Sequence, residues 1–429
     1  MFKFYFKKNY NFIFITVPST LTIFIPLFLI TGPFLPDLAI SICSILFLIN
    51  SFCFRIKNYF KCKFFFFFSL FWLTLIVSSL LSDNIIYSFQ TSFLYIRFGI
   101  FSLSTWFLID YNNKIIRDFF FVFCFCFILL IFDGFFQFFT GYNLLGFKII
   151  DTRVSSFFGT ELVLGSYLSR LMPLFFACYV FLDSEIKKIN FKYFFLIIFV
   201  LSEVLIFLSG ERVSFFNLNL SAFFYIVCLN HYKKVRITML LLSFFLIMII
   251  SNFSSEYKER MIDRTISQIF VKKEKETNIN IFSIEHENHY KSAFLMFEDN
   301  KIFGIGTKLF RKNCSKQEYV TSFESCTTHP HNTYVQLLAE TGIVGFFQFV
   351  IFFLLFIFFS IKHIFLKIFK NKFFFNDFEI FLLSGLLITL WPFIPTGNFF
   401  NNWISIIYYL PIGFLLFSIN KKINEKKNK

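Results

Sequence analysis

Four side chains in polar segments of the sequence are of types that can do chemistry on a charged substrate. They are Arg153 in Asp151–Gly159, Arg212 in Ser209–Ser214, and His329 and His331 in Thr328–Tyr334. A neutral imidazole can accept the proton of a poor nucleophile such as a sugar hydroxyl. Guanidinium groups can neutralise the charge that grows on a phosphate leaving group. These residue types are therefore candidates for proton transfer and for binding a phosphate.

Each of these groups also has a simpler interpretation. A single arginine at a membrane interface usually extends to lipid headgroups. The His329-Pro-His331 pair is typical of a metal-site fragment, with His286 and His289 as possible further ligands. No Cys, Asp or Glu at a suitable spacing completes a tetrahedral set, so the sequence predicts no metal ion.

The composition requires that these side chains be positioned by a membrane-embedded fold. The chain has 429 residues, of which 57% are hydrophobic and only 16% are charged. A soluble domain of this length cannot bury so much apolar surface, so the bilayer must act as its solvent. The 79 phenylalanines are interpreted as a compositional bias, with Phe replacing Leu as the lipid-facing residue. The sequence predicts an all-α polytopic membrane protein.

The net charge of +15 does not indicate a nucleic-acid-binding protein. Lys and Arg occur mostly in short clusters between apolar runs, which is the pattern of cytoplasmic loops under the positive-inside rule. The alternate connections Gly32–Asp37, Ser82–Thr91 and Thr396–Asn402 contain neither residue. The first apolar run has no small-residue cleavage site after it and is expected to be a retained span.

Apolar runs long enough to cross the hydrocarbon core recur about twelve times, which predicts about twelve transmembrane helices with both termini in the cytoplasm. The runs are Asn11–Thr31, Leu38–Phe54, Phe64–Leu81, Ser92–Ile109, Phe119–Phe139, Leu162–Leu182, Tyr193–Leu208, Val213–Leu229, Ile237–Ile250, Gly342–Ile361, Phe378–Pro395 and Trp403–Ile419.

This topology places three polar pieces outside the membrane: Thr140–Glu161, the turn Ser209–Arg212, and one large loop between the ninth and tenth spans. The loop is long enough to be a partly helical subdomain. The predicted organisation is therefore residues 1–250 as an N-terminal transmembrane bundle of about nine spans, 251–334 as the periplasmic loop subdomain, and 335–429 as a C-terminal bundle of about three spans.

Four ionisable residues occur within the predicted spans, namely Arg97, Asp133, Arg170 and Glu203. Such residues are functional candidates by default. One alternative is that they form ion pairs that hold the bundle together. Their similar depth, in the outer half of the spans or near the middle, favours a polar cavity that opens outward and accepts a charged lipid headgroup.

The segment that begins at His331 resembles a known family. His331-Asn332, nine residues, Gly342, two residues and Gly345 match the signature of the O-antigen ligase and O-antigen polymerase superfamily. The stretch Ala293–Gly306 resembles the segment that precedes this signature, and the Arg153 loop and the Arg212 turn resemble two marked arginine positions. The resemblance implies a lipopolysaccharide-biosynthesis enzyme of the bacterial inner membrane. It would move a glycan from undecaprenyl pyrophosphate to a lipid or glycan acceptor on the periplasmic side.

The resemblance also implies roles for individual residues. His331 is expected to be the catalytic base, and Arg153 and Arg212 are expected to bind the pyrophosphate. His329, His289, Arg170 and Arg97 are second-tier candidates. No cofactor and no metal ion is expected, and the transfer is expected to be of the inverting type.

Two features leave alternatives open. The sequence has no arginine in Glu285–Lys291, where relatives carry a basic residue, and His289 is the available substitute. In an oxidising periplasm Cys314 and Cys326 would form a disulfide, and elsewhere they would be free thiols.

The signature favours a ligase that uses the lipid A core or a similar acceptor. The alternatives are a polymerase that extends the carrier-linked chain, a protein O-oligosaccharyltransferase, and a transporter or flippase of lipid-linked sugars. A transporter would not require the His331 signature or the long outer loop.

Overall fold

A computed structural model describes residues 10–54, 56–186, 192–229, 231, 233–273, 276–279 and 282–427 of the chain. The predicted cytoplasmic ends, 1–9 and 428–429, lie outside the described residues. Most of the described chain is helical. The helices are α1 Val17–Ile23, α2 Ile25–Phe28, α3 Phe34–Cys53, α4 Lys63–Leu80, α5 Ile85–Tyr111, α6 Lys114–Thr140, α7 Leu164–Ile186, α8 Lys192–Leu208, α9 Arg212–Cys228, α10 Lys233–Phe253, α11 Ser255–Lys258, α12 Arg264–Ile269, α13 Ile284–Asp299, α14 Phe310–Asn313, α15 Thr333–Lys370, α16 Asp377–Leu390 and α17 Asn402–Lys427.

Shorter elements connect these helices. π-Helical turns precede α1 and α12 at Phe12–Thr16 and Glu259–Asp263, and 3-10 turns occur at Asn58–Lys61 and Ser156–Phe158. Strands β1, Phe270–Lys273, and β2, Glu276–Ile279, form an antiparallel hairpin in the long polar stretch. This hairpin is an exception to the predicted all-α fold. The stretch has little helical periodicity, and pairing of two strands satisfies the backbone groups that a helix would otherwise satisfy.

Seven of the described helices are long and apolar enough to cross a membrane: α3, α4, α5, α6, α7, α15 and α17. An eighth span is possible if Ile237–Asn252 and Ser255–Ile269, which are bent by 116°, count as one. Phe12–Ile23, Tyr193–Leu208 and Arg212–Cys228 are shorter apolar helices. Each of the twelve predicted runs overlaps a helix, so the polytopic helical class is confirmed. The count of twelve and the side on which the long loop lies stay predictions.

The surface of α6 has the character expected of a lipid-facing helix. Phe121, Phe125, Ile128 and Phe132 are exposed and recur every three or four residues, so they share one face of the helix. A contiguous apolar stripe of this kind is costly in water and natural in hydrocarbon. Phenylalanine also fills the interior, because Phe119, Phe123 and Phe127 on the same helix are fully buried.

Helices from the first and third predicted units pack directly against each other. The Ser102 hydroxyl of α5 donates to the Tyr409 carbonyl of α17 at 2.8 Å, and a Cβ at Gly413 would lie 2.8 Å from the Ser102 carbonyl oxygen. The α16 helix packs along α7, where Gly385 faces Pro173. The two units therefore share one core, and the division at residues 251 and 335 stays a prediction.

Candidate active site

The loop between α6 and α7 positions Arg153 through a tight turn. Asp151 and Thr152 both have positive φ, 48° and 60°, and the Arg153 amide donates to the Ile150 carbonyl at 2.8 Å. Left-handed backbone at a β-branched residue such as Thr152 is uncommon. Strained conformations of this kind persist where the surroundings impose them, and they concentrate at functional sites.

Asp133 of α6 holds the same loop in place through hydrogen bonds. Its carboxylate accepts hydrogen bonds from the Leu144 amide at 2.8 Å, from Asn143 Nδ2 at 3.3 Å and from the Ser156 hydroxyl at 2.5 Å. Asp133 is fully buried, and these three donors satisfy the hydrogen-bonding capacity of its carboxyl oxygens. Its place in the fold is thus to fix the backbone that presents Arg153.

Gly210 is the point at which two arginines meet. Arg153 Nε donates to the Ser209 carbonyl at 2.9 Å, and Arg260 Nε donates to the Gly210 carbonyl at 3.3 Å. A Cβ at Gly210, whose φ is +67°, would lie 2.5 Å from Arg260 Nε and 3.1 Å from Arg153 Cγ. Only glycine fits both this backbone and this close approach. Arg260 was not among the sequence-predicted site residues.

Glu211 ties this turn to the beginning of α7. Its carboxylate accepts from the amides of Gly165 at 2.6 Å and Ser166 at 2.9 Å, and from the Ser214 hydroxyl at 2.9 Å. Burial raises the pKa of Glu211, while these hydrogen bonds and the charge of Arg153 oppose the shift. A carboxylate at a helix N-terminus is stabilised by unpaired amides. Sequence reasoning noted Glu211 only as part of the Gly-Glu-Arg turn.

Arg212 lies beside the same cluster and contacts α12. Its Nη1 donates to Gln268 Oε1 at 2.7 Å and to the Thr265 hydroxyl at 3.4 Å. Arg260, Arg264 and Glu285 are within electrostatic range of it. Burial lowers the pKa of Arg153, which Glu211 opposes and the charge of Arg260 reinforces.

Neutral oxygen atoms hold the three central arginines, which we name the arginine cluster: Arg153, Arg212 and Arg260. Their hydrogen-bond acceptors are backbone carbonyls, a glutamine and a threonine. No ion pair involves any of the three within the part of the chain that the structure describes. Their positive charge is therefore available to an anionic ligand, and the fork of each guanidinium matches a phosphate.

The imidazole of His331 lies at the centre of four histidines, which we name the histidine cluster. Its ring centroid is 4.1 Å from that of His329 and 5.4 Å from those of His286 and His289. His286 and His289 are 6.1 Å apart on α13. The structure thus brings together three sequence-predicted histidines and adds His286, which the sequence analysis considered only as a metal ligand.

Burial and mutual repulsion keep these imidazoles neutral. Burial, reinforced by the charges that His329, His286 and His289 would carry, lowers the pKa of His331 to about 3. Burial likewise lowers the pKa of His329 to about 4, and it lowers the pKa of His286 and of His289. Desolvation disfavours the charged form of a base, so at neutral pH each ring carries one proton and one free lone pair.

The imidazole rings of the histidine cluster differ in their hydrogen bonds. His329 Nε2 donates to the Thr396 carbonyl at 3.2 Å, so its Nδ1 accepts from the Thr328 hydroxyl at 2.9 Å. His286 Nδ1 lies 2.7 Å from the Ser283 hydroxyl. The ring of His331 makes no hydrogen bond with any described residue and remains free to contact a ligand.

The backbone of His331 is strained and firmly held. Its φ is +56°, and its carbonyl accepts from the Thr396 amide at 2.7 Å. Asn332 caps α15 by accepting from the amides of Tyr334 and Val335, and its Nδ2 donates to the Pro392 carbonyl at 2.9 Å. The helix cap and the segment after α16 together fix the direction of the imidazole.

The structure explains why both signature positions, Gly342 and Gly345, are glycine. Gly342 interrupts α15 with φ +64° and ψ −165°, a region that only glycine occupies readily. The Ile343 amide then donates to the Lys301 carbonyl at 2.8 Å, and a Cβ at Gly342 would overlap the Ile302 carbonyl. A Cβ at Gly345 would overlap the Thr341 side chain. The first turns of α15, which follow His331, are thereby joined to the segment before α14.

A disulfide joins Cys314 and Cys326. It closes the loop that precedes His329, and the Cys314 sulfur also lies 3.6 Å from the Thr327 carbonyl. The bond restricts the freedom of the chain immediately before His329.

Neither second-tier arginine forms a hydrogen bond with a described residue of the arginine cluster or the histidine cluster. Arg170 is buried in α7, where its Nε lies 3.3 Å from the Ser166 hydroxyl and its guanidinium lies 5.8 Å from the Tyr408 ring. Arg97 forms an ion pair with Asp37 at 2.7 Å. Arg97, Asp133 and Arg170 therefore have separate hydrogen-bond partners. Depth in the membrane is readable from sequence, but the side of the bundle that a residue faces is not.

The arginine and histidine clusters adjoin each other. The charges of Arg212 and Glu285 both act on His286, which contacts His331. No described group of three or more His, Cys, Asp or Glu residues has an arrangement that could hold a metal ion. The site therefore combines three guanidinium groups that form no ion pair with a described residue and a neutral imidazole without a hydrogen-bond partner.

Comparison with known proteins gives one finding. Residues 196–350 match the O-antigen ligase family. That interval contains Arg212, Arg260, the histidine cluster and both signature glycines, but it does not contain Arg153. No curated protein matches the chain.

Proposed function

We propose that this chain, which belongs to the O-antigen ligase and polymerase superfamily, transfers a glycan from undecaprenyl pyrophosphate to a lipid A core or a similar acceptor. The reaction would take place on the periplasmic side of the bacterial inner membrane. The observation that carries the proposal is the neutral, unpaired imidazole of His331 beside the arginine cluster, whose members form no ion pair with a described residue. This pairing suits a reaction that needs both a base and a stabilised anionic leaving group.

His331 acts as the base in this proposal. An acceptor hydroxyl attacks the anomeric carbon that carries the pyrophosphate, and the free ring nitrogen of His331 takes the hydroxyl proton as the new C–O bond forms. The charge of the bound pyrophosphate raises the proton affinity of His331 at the moment of transfer. Attack opposite to the leaving group inverts the anomeric configuration.

The arginine cluster acts on the leaving group. As the old C–O bond breaks, both bonding electrons go to the pyrophosphate oxygen, and lipid pyrophosphate leaves as an anion. Arg153, Arg212 and Arg260 neutralise this charge from fixed positions and need no reorganisation during the step. Three guanidinium groups make a divalent cation unnecessary, so we propose metal-independent transfer.

The test is an in vitro transfer assay with purified protein, undecaprenyl-pyrophosphate glycan and lipid A core, with and without EDTA. The proposal predicts transfer to the core that EDTA leaves unchanged and that His331→Ala abolishes. Arg117→Ala is the control variant. Arg117 is exposed, forms an ion pair with Asp118, and is not a residue of the candidate site.

Other outcomes would select a different member of the superfamily or reject the class. Lengthening of the glycan on its carrier would identify a polymerase, and transfer to an added acceptor protein would identify a protein O-oligosaccharyltransferase. Movement of the lipid-linked glycan across vesicles, equally in wild type and His331→Ala and without any transfer, would identify a transporter.

A further inference from the structure

A polar cavity lies between α5, the beginning of α17 and the segment before α14. It has a volume of about 150 Å3 and is lined by Gln90, Thr91, Arg97, Lys308, Phe400 and Asn402, among others. These residues come from α5, from the beginning of α17 with the segment before it, and from the segment before α14. We name this cavity the Lys308 pocket. It shares no lining residue with the arginine cluster or the histidine cluster.

The acidic residue near the Lys308 pocket is already neutralised. Asp37 Oδ1 lies 2.7 Å from Arg97 Nη2, and Asp37 Oδ2 accepts from Asn402 Nδ2 at 3.2 Å. Arg97 Nη1 donates to the Leu94 carbonyl at 3.0 Å. Arg97 Nε is buried and has no partner among the described residues. One donor of the guanidinium therefore remains unsatisfied, which is costly unless a ligand accepts it.

Lys308 adds a second positive charge and is placed there by strained backbone. Its φ is +59°, which is uncommon for a residue with a long side chain. The preceding residue is fixed, because the Thr307 hydroxyl lies 2.7 Å from the Ser92 hydroxyl and donates to the Ser88 carbonyl at 3.0 Å. The chain thus accepts a strained conformation that directs this lysine.

The ammonium group of Lys308 lacks a counter-ion. It forms no ion pair and no hydrogen bond with any residue that the structure describes. Burial lowers the pKa of Lys308, and the neighbouring charge of Arg311 reinforces the shift, while Glu340 and Asp37 oppose it. A partly dehydrated ammonium beside a second unpaired cation donor is unfavourable until an anion enters.

We propose that the Lys308 pocket binds the phosphate group of an amphiphile. The cavity volume suits a single phosphate headgroup, and two cations with amide and hydroxyl donors from Gln90, Thr91 and Asn402 suit its oxygen atoms. The phosphate belongs either to the glycan acceptor or to a membrane phospholipid. The first source rests on the proposed function, whereas the second does not.

Direct binding tests the pocket without any requirement for transfer. Purified protein in neutral detergent is titrated with dioctanoyl phosphatidate and, separately, with dioctanoylglycerol, which lacks the phosphate. We expect saturable binding of the phosphatidate alone, with Kd raised about tenfold by Lys308→Gln and restored to within threefold by Lys308→Arg. The control is Lys312→Gln, because Lys312 is exposed and lies over the Tyr87 ring. Equal affinity in wild type, Lys308→Gln and Lys312→Gln would overturn the proposal.

Two further measurements distinguish the sources of the phosphate. If it belongs to the acceptor, Lys308→Gln raises the acceptor KM for phosphorylated lipid A core, leaves the donor KM unchanged, and has no effect with dephosphorylated core. If it belongs to a phospholipid, native mass spectrometry shows a bound phospholipid that Lys308→Gln loses, with both KM values unchanged. Absence of transfer in wild type would reject the proposed function alone, since the phosphatidate titration is independent of it.

Discussion

Two regions of this molecule use arginine in opposite ways. In the Lys308 pocket, Arg97 is bound to the carboxylate of Asp37 at 2.7 Å, so most of its charge is compensated within the fold. In the arginine cluster, Arg153, Arg212 and Arg260 donate their hydrogen bonds to neutral oxygens and form no ion pair with a described residue. The first arrangement joins α3 to α5, and the second leaves three cations ready for a ligand.

The comparison explains why residue type and membrane depth alone do not identify a functional arginine. An ion pair compensates most of the charge of an arginine, so that only its remaining N–H donors can contribute to binding a ligand. An arginine held by carbonyls uses some of its N–H donors, but the carbonyls carry no net negative charge that would neutralise it. The chemical identity of the acceptor that positions a guanidinium therefore indicates which role the residue has.

Among the substitutions that test this comparison, we expect Arg212→Ala to have the largest effect on donor use. We expect Arg212→Ala to lower kcat/KM for the lipid donor by about 100-fold, because it removes a preorganised cation at the leaving group. Initial rates over a range of donor concentrations measure it. A change smaller than threefold would mean that the uncompensated charge of Arg212 serves something other than the donor.

Arg260 and Arg264 provide a matched pair on neighbouring turns. Arg260 contacts the Gly210 carbonyl, whereas Arg264 is exposed and pairs with Glu259 at 3.2 Å. We expect Arg260→Ala to lower kcat/KM for the donor about tenfold, and Arg264→Ala to change it less than twofold, since exposed ion pairs contribute little. Equal effects of the two substitutions would remove Arg260 from the arginine cluster.

A pair of glycines separates backbone strain from crowding. Gly210 and Gly141 both have positive φ, but a Cβ would meet Arg260 and Arg153 at Gly210 and nothing within 4 Å at Gly141. An alanine in left-handed backbone costs about 1–2 kcal/mol at either position. Both substitutions should therefore lower the midpoint temperature of thermal unfolding. Only Gly210→Ala should also raise the donor KM, by about fivefold, which corresponds to a loss of about 1 kcal/mol in binding free energy.

The smallest expected effect is that of pH. Since burial lowers the pKa of His331 to about 3, the neutral base is present throughout pH 5.0–7.5, and kcat/KM should change less than twofold over that range. A histidine with its usual pKa near 6.5 would be mostly protonated at pH 5.0, and the rate would fall about 30-fold. Such a fall would show that His331 is exposed to water in the free enzyme.

The sequence alone was sufficient to predict several residues of the candidate site. Arg212 and His331 lie in short, recognisable segments, and the alternation of charged and uncharged connections placed both with Arg153 on one predicted side. The helical class followed from the apolar runs. These features are local in sequence, which is why they could be read without coordinates.

The rest depended on contacts between distant segments. Arg260 lies in a polar stretch without a pattern, and its approach to Gly210 is visible only once α8, α9 and the π-helical turn before α12 are assembled. His286 is recognised as part of the histidine cluster only from its ring contacts with His289 and His331 in the structure. Arg97 was assigned to the site by depth, yet its partner Asp37 is 60 positions away in sequence. The pocket that contains Lys308 likewise draws on three separate connections.

The most direct test of the central claim separates donor binding from turnover in His331→Asn. Asparagine tolerates the left-handed backbone at this position but cannot act as a base. The account predicts a donor Kd within threefold of wild type and a single-turnover transfer rate lowered about 10³-fold. Transfer within tenfold of wild type, or loss of donor binding together with transfer, would contradict the assignment of His331 as the catalytic base.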